Sequence, residues 1–363
     1  MTKAYRVAVI GRTGKGNYGH GLDTVWLGLD NVSIVAVADE DETGRAAAAK
    51  RLKAPMAYAD YRTMLEKERP EIVSVAPRWL DCHRDMVIAC AEAGAHVFLE
   101  KPMCQTLEQA DEMVAACERH HVKLAIAHQT RYSPRLKRIK ELIAAGQLGD
   151  VLELRGRGKD EARGGGEDLM VLGTHIMDLM RLIAGEARWC QARVLDKGKP
   201  ITRANARDGN EGIGPLAGDN ITATYGFDGG IIGHFASQRV QPGGRFGLQI
   251  LGSKGMIHVT TGSLPTAWFC PDPTWGHGRS RVPPQEITSA GLGRPETLSG
   301  DALGLGNLWI VKDLMEAIEK DRQPLGSIYD GRAALEMILA VYESELSGSR
   351  VDLPLRKRKH PLA

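Results

Sequence analysis

Five apolar runs punctuate the first 128 residues: Val7–Ile10, Ile34–Ala38, Ile72–Ala76, His96–Leu99 and Leu124–Ala127. Amphipathic stretches such as Asp81–Ala93 and Leu107–His121 separate the later ones. Short buried runs alternating with helical periodicity predict repeated strand–helix–strand units, and therefore a parallel, doubly wound sheet with right-handed crossovers. Ligands of such sheets collect outside the carboxyl ends of the strands, so the residues just past each run are the ones to inspect.

After His128 the pattern changes. Pro134–Ala145 reads as a helix closing on Gly146, Val151–Arg157 as an alternating strand, and Gly164-Gly165-Gly166 as the lead into a helix over Glu167–Ala184. Asn220–Phe227, Gly230–Gln238 and Phe246–Gly252 read as antiparallel strands, the first two joined at Asp228-Gly229-Gly230. Helices over Leu305–Lys320 and Gly331–Leu346 follow. The expected architecture is an α/β Rossmann domain over residues 1–129 and an α+β domain over 130–363, the latter built on an open, mostly antiparallel sheet. Such a sheet needs its free face covered, which predicts a homo-oligomer, dimer or tetramer, packed sheet on sheet. Residues 196–219 and 262–300, rich in Gly, Pro and charge, are expected to be long loops.

The 363 residues carry 47 basic and 45 acidic side chains. That balance gives no reason to expect nucleic acid or an anionic membrane as partner. No run approaches the roughly 18 apolar residues of a membrane span. The six cysteines form no C-x-x-C pair and read as reduced thiols of a cytoplasmic protein, with neither a disulfide framework nor a metal site.

The first strand runs into Gly11-Arg12-Thr13-Gly14-Lys15-Gly16-Asn17-Tyr18-Gly19-His20-Gly21. Gly14, Gly16 and Gly19 satisfy G-x-G-x-x-G, three residues later than usual; alternatively Gly11 makes the tight turn and the rest is an enlarged phosphate loop. In both registers glycines leave room for a pyrophosphate, a following helix is expected to add its dipole, Thr13 is a candidate cofactor contact, and Tyr18 and His20 lie close to the cofactor side. Asp39 ends the second strand about twenty residues beyond Gly19, where an acid receives the adenosine ribose hydroxyls and repels a 2′-phosphate. NAD is expected over NADP. Asp39 also suits a helix N-cap, and the two roles are compatible.

Two further positions carry chemistry. Lys101 follows the run His96–Leu99 and precedes Pro102, which makes it a positioned charge at a strand end; a solvated exit-loop lysine is the plain alternative. In the helix after the triple glycine, Asp168 and His175 would share a face, with Asp178 one turn beyond His175. A histidine in an apolar helix is commonly a satisfied core residue. Paired with Lys101, His175 can instead exchange a hydroxyl proton while the lysine polarises the oxygen.

These residues resemble the glucose–fructose oxidoreductase/inositol dehydrogenase/MocA-like (Gfo/Idh/MocA) oxidoreductases. The resemblance rests on Ala93-Gly-Ala-His-Val-Phe-Leu-Glu-Lys-Pro102, Gln129-Thr-Arg-Tyr-Ser-Pro134, Gly165-Gly166 through Gly173-Thr174-His175-Ile-Met-Asp178, and the closing Ser344–Leu355 segment. It implies a dinucleotide-binding Rossmann domain, a substrate domain, and hydride transfer to or from a sugar, cyclitol or related polyol. It implies that Lys101 binds substrate and relays a proton, and that His175 is the catalytic histidine. Pro77, His83 and Glu100 would border the dinucleotide, and Arg131, within the second motif, would sit at the substrate site. Many members carry an aspartate four residues before the histidine, where this chain has Val171; Asp168 or Asp178 is the candidate replacement. Trp79, Trp268 and Trp275 suit sugar stacking or small satellite cores. Arg155, Arg157, Lys159 and Arg163 suit a substrate carboxylate or a salt-bridged face. Beside the dehydrogenase stand two alternatives, a glycoside-cleaving enzyme using NAD transiently and a catalytically silent NAD-sensing regulator.

Overall fold

The computed structural model describes residues 4–239, 244, 246–275, 283–299 and 302–363. The chain forms two compact units.

The first unit comprises the chain up to Ala127, together with Gly209–Gly214 and Leu303–Arg332. Its elements run β1 (Tyr5–Ile10), β2 (Val32–Ala38), α1 (Glu42–Leu52), β3 (Met56–Tyr58), α2 (Tyr61–Glu68), β4 (Ile72–Val75), α3 (His83–Glu92), β5 (His96–Leu99), α4 (Leu107–Arg119) and β6 (Leu124–Ile126). All strands are parallel, in the order β3-β2-β1-β4-β5-β6. The order reverses between β1 and β4, which opens the ligand crevice of a doubly wound sheet there. Central strands are buried on both faces: Val7, Ala8 and Val9 of β1 and every residue of β4 are inaccessible. The one hydroxyl among them, Ser74, donates to the Leu22 carbonyl at 2.9 Å and accepts from the Trp26 indole at 2.8 Å, so no polar group is stranded. Asp41, Asp60 and Thr106 cap α1, α2 and α4 through their side-chain oxygens. Edge strand β3 gives no apolar run in the sequence, because its residues are largely exposed.

One expectation fails. No α-helix follows β1; the chain turns through residues 11–23 and forms only a 3₁₀ segment, Thr24–Gly28. Gly14, Gly16, Asn17, Gly19 and Gly21 all have positive φ, and a right-handed helix cannot propagate through them. The expected helix dipole at the phosphate loop is therefore absent.

The second unit spans His128–Asp208, Pro215–Ala302 and Ala333–Ala363. Its main elements are α5 (Pro134–Ala144), β7 (Val151–Arg157), α6 (Gly166–Val171), α7 (Gly173–Ala184), β8 (Ala187–Asp196), β9 (Asn220–Phe227), β10 (Ile232–Gln238), β11 (Gly247–Gly252), β12 (Gly255–Thr260), β13 (Ala267–Cys270) and β14 (Gln285–Thr288). They form one sheet in the order β14-β13-β12-β11-β7-β10-β9-β8, antiparallel except where β10 pairs with β7. The turn Asp228–Gly230 joins β9 to β10, as the glycines indicated. Of the loop expected over 262–300, residues 276–282 and 300 lie outside the described residues, and the rest contains β13 and β14.

Helix α7 covers one face of this sheet. Ile176, Met177, Leu179 and Met180 are fully buried, and a Cβ on Gly156 of β7 would lie 2.3 Å from Ile176. Alternation turns the intervening residues to the opposite face, where register aligns Thr224, His234, Arg155, Gln249, His258 and Trp268 in one row across six strands. The row is polar apart from Trp268, which is 41% exposed. The single helix expected over Glu167–Ala184 is instead two, broken at Leu172. Asp168 and His175 therefore lie in different helices and do not share one continuous helix face.

Among the described residues, no helix is long and apolar enough to cross a membrane, and no cluster of three or more His, Cys, Asp or Glu suits a metal ion.

The C-terminal segment folds back within the second unit. His360 is buried, its ring lies 5.8 Å from that of Tyr342, and its Nδ1 accepts from the Leu362 amide at 3.2 Å. Burial lowers its pKa from the ordinary 6.5 to about 4. Between those values the unfolded chain binds the extra proton and the folded one does not, so stability falls as pH drops from 6.5 toward 4. The full loss from this group is about 3 kcal/mol. Urea unfolding at pH 7 and pH 4.5 should show a smaller difference for His360→Gln than for the parent; equal differences would remove His360 from the account.

Candidate active site

In the first unit, three strand exits meet at the glycine loop. Gly19, with φ +64°, packs so closely on β4 and β5 that a Cβ would stand 2.4 Å from the Ala76 carbonyl oxygen and 2.6 Å from Glu100 Oε2. A Cβ on Gly16 would lie 2.4 Å from the Arg78 amide nitrogen. Gly11 has a different reason for lacking a side chain: the Tyr18 ring occupies that space, at 2.2 Å from where a Cβ would be. Tyr18 is buried beneath the loop with the Arg51 guanidinium 4.9 Å from its ring centre. Burial, and then the Asp39 carboxylate, push its phenol well above the usual range.

Asp39 is 2% exposed and accepts from the Thr13 hydroxyl (2.7 Å), the Thr13 amide (3.1 Å) and the Asp41 amide (3.1 Å). It thereby ties the phosphate loop to the end of β2. A small pocket beside it is lined by Gly11, Arg12, Ala38, Asp39, Ala59 and Tyr61. A pocket across the exits of β1, β2 and β3, edged by Gly11 and walled by a strand-end carboxylate, fits the adenosine half of a dinucleotide.

Glu100 is fully buried. Its Oε2 accepts from the His20 amide at 3.1 Å and faces His20 Nδ1 at 3.0 Å, while its Oε1 accepts from the Lys101 amide at 3.0 Å. Burial alone would raise this carboxyl, but the hydrogen bonds and charge of His20 and the charge of Lys101 hold it below its usual range. Lys101 is only 7% exposed and joins Pro102 by a cis peptide bond. His83, wholly inaccessible, has Nε2 2.7 Å from the Pro77 carbonyl and Nδ1 3.1 Å from that of Met103; burial pushes its pKa down. It ties the β4 exit to the β5 exit from behind.

The second unit carries the histidine. His175 sits in the first turn of α7, its ring edge-on to His128 at 5.4 Å and to Phe246 at 6.0 Å. His128 is buried, with Nε2 3.0 Å from the Thr174 hydroxyl and Nδ1 3.4 Å from Asp178 Oδ1. Asp178 is clamped by Arg131, whose Nη2 and Nε reach its oxygens at 2.7–3.1 Å. Burial would raise the Asp178 carboxyl; the guanidinium and His128 overcome it and hold the acid far below the carboxylate range. Asp168 lies in α6. It accepts from the Ser237 hydroxyl and the amides of Lys159 and Asp160, and burial keeps its pKa raised. A Cβ on Gly158 would lie 2.0 Å from its Oδ2, so it is pinned between β7 and β10. Arg163 pairs with Glu161 at 2.8 Å, and Val171 is buried in α6. His128 escaped the sequence reading, although it adjoins the Gln129-Thr-Arg131 motif.

Comparison with known proteins now decides the family. A profile described as an oxidoreductase family with an NAD-binding Rossmann fold matches residues 5–128, and the GFO/IDH/MocA C-terminal domain matches residues 136–258. The chain belongs to the Gfo/Idh/MocA family. It is thus an oxidoreductase built on an NAD-binding Rossmann domain. Levoglucosan dehydrogenase of Pseudarthrobacter phenanthrenivorans is 26% identical, over 88% of this chain and 89% of that one. Myo-inositol 2-dehydrogenase of Thermotoga maritima is 28% identical, over 63% of this chain and 68% of that one. A solved levoglucosan dehydrogenase, in complex with NADH and levoglucosan, shares the fold with a TM-score of 0.75 at 21% identity, covering 97% of this chain and all of that one.

Within this family member, Asp178 is the electrostatic anchor of the second unit. Asp178→Asn removes the carboxylate facing both Arg131 and His128, and it should cost about 3 kcal/mol or more. Urea denaturation at pH 7 checks this; a loss below about 1 kcal/mol would mean that the pair is not a structural anchor.

Proposed function

We propose that this protein is an NAD-dependent dehydrogenase acting on a secondary hydroxyl of a sugar, cyclitol or related polyol. The observation that carries the reading is Lys101: a nearly buried lysine at the exit of β5 in an NAD-binding Rossmann domain. The polyol class is supported by relatives that act on levoglucosan and myo-inositol by name. Bound nicotinamide supplies the hydride acceptor. Lys101 holds the reacting oxygen and stabilises the charge developing on it, and His175 takes the hydroxyl proton. The two residues come from different units.

Pro77, Gly16 and Gly19 would contact the dinucleotide through backbone, while Glu100 and His83 act by holding the loops in place. NAD is favoured over NADP because Asp39, with Glu40 next to it, would face a 2′-phosphate with negative charge. Thr13 now holds the Asp39 oxygens in the way a ribose diol would. Asp168 serves as a structural acid and Asp178 as the acid that supports the histidines. The substrate is read as neutral, since the cations near α6 are already matched: Arg157 with Asp160 at 2.7 Å, Arg163 with Glu161, and Arg131 with Asp178. The polar outer sheet face with exposed Trp268 supports pairing with a second copy of the chain, and six free thiols suit a reducing cytoplasm.

Screening neutral sugars, cyclitols, uronates and glycosides for NADH formation tests the class; activity confined to uronates would overturn the neutral-substrate reading. Lys101→Met should lower turnover at least ~10³-fold while NAD affinity stays within about threefold. Turnover near the parent value would reject the assignment.

A further inference from the structure

Resting on the reading of His175 as the proton acceptor, we infer that His128 is a positioning residue: its buried imidazole bridges two turns of α7 and fixes the ring of His175 between them. Thr174 and Asp178 stand four residues apart, about 6 Å along the helix axis and on the same face. His175 follows the first directly. One imidazole reaches both, meeting the Thr174 hydroxyl at Nε2 (3.0 Å) and the Asp178 carboxylate at Nδ1 (3.4 Å). The contact with Asp178 is one of proximity and charge, since Nδ1 lies outside hydrogen-bond geometry, whereas Nε2 meets the hydroxyl at hydrogen-bond distance.

The bridge is anchored at its far end. Arg131 grips both Asp178 oxygens, so the carboxylate cannot swing away from His128. His128, Thr174 and Asp178 are each no more than 2% exposed, where water cannot substitute for a lost partner. The edge of the His128 ring then meets the His175 ring at 5.4 Å with a 61° interplanar angle, and Phe246 closes on His175 at 6.0 Å and 77°. The charged groups around this pair within the unit are Arg131 and Asp178; Thr174 and Phe246 are neutral. A proton acceptor held in this way needs no search of rotamers when substrate arrives. A displacement of about 1 Å is enough to cost roughly a hundredfold in rate.

Two substitutions separate the bridge from mere packing. His128→Phe keeps an aromatic ring against His175 and removes both polar contacts; His128→Gln keeps a donor for Asp178 and an acceptor for Thr174. With the polyol found by the screen, His128→Phe should lower kcat 10- to 100-fold while KM and NAD affinity stay within about threefold, and His128→Gln should recover kcat to within about fivefold. Parent-like kcat in His128→Phe, or equal losses in both variants, overturns the inference. Histidine ring ¹⁵N spectra of the full-length parent, assigned with His175→Ala, give a readout that needs no substrate. Ring ¹⁵N relaxation of His175 should report one rigid orientation, and averaging between side-chain rotamers overturns the proposal even if His128→Phe fails to fold. An unchanged turnover in His175→Ala would sink the dehydrogenase assignment of that histidine, whereas an inactive His175→Ala beside a fully active His128→Phe sinks only the positioning role.

Discussion

A buried carboxylate organises each unit, and the site depends on the one in the first, Glu100. An ionised side chain with no access to water is tolerated only where hydrogen bonds and opposite charge replace its hydration. Glu100 gets these from the His20 amide and ring, the Lys101 amide and the Lys101 charge. The partners come from two places: the glycine loop that leaves β1 and the segment that leaves β5. Satisfying one acid therefore forces the phosphate loop and the lysine into a fixed relation. Gly19 has to be glycine for the same reason, because a Cβ there would collide with the oxygen that accepts from His20.

The second unit repeats the solution with different residues. Asp178 takes its compensation from Arg131 and His128, and His175 rests on the group so formed. Such an ion pair is weak evidence for stability, since well-packed apolar residues can do as well. What it supplies is direction: a guanidinium fork and a carboxylate admit one orientation, and that orientation passes to the imidazole. Val171 is buried in α6, where the family commonly has an aspartate, and the acid linked to the histidine pair here lies on the other side of the histidine in sequence, at Asp178.

Much of the fold was legible in the sequence because burial on both faces writes itself as uninterrupted apolar runs. β1, β2, β4, β5 and β6 could be found that way, whereas β3, exposed at the edge, could not. The hairpin at Asp228–Gly230 was legible through its glycines. The helix over Glu167–Ala184 was over-read: apolar residues continue through Leu172, and periodicity cannot register the backbone break there. Side-chain allegiance was the least legible. Asp168 and Asp178 are both acids near a histidine in sequence, yet one is drawn to Ser237 on β10 and the other to Arg131, more than forty positions away. His128 carried no periodic or motif signal of its own; only its contacts reveal it.

The phosphate loop shows most clearly how a local conflict is resolved. A usual Rossmann crossover aims a helix N-terminus at the pyrophosphate. Here five residues with left-handed backbone between Gly14 and Gly21 forbid that helix, so its aligned dipoles are missing. The loop instead holds itself together with turn hydrogen bonds, among them Arg12 to Asn17 and Asn17 back to Arg12, and with the Thr13–Asp39 link. Positive potential for an anionic cofactor must then come from loop amides and from the side chains the loop carries, Arg12 and Lys15. Arg12 is already shared with Asp81 at 2.8 Å. An anion held by loop amides and a side-chain charge is more exposed to screening by salt than one held by a buried helix end. The affinity of this protein for its dinucleotide should accordingly fall with ionic strength more steeply than that of a Rossmann domain whose first crossover is helical.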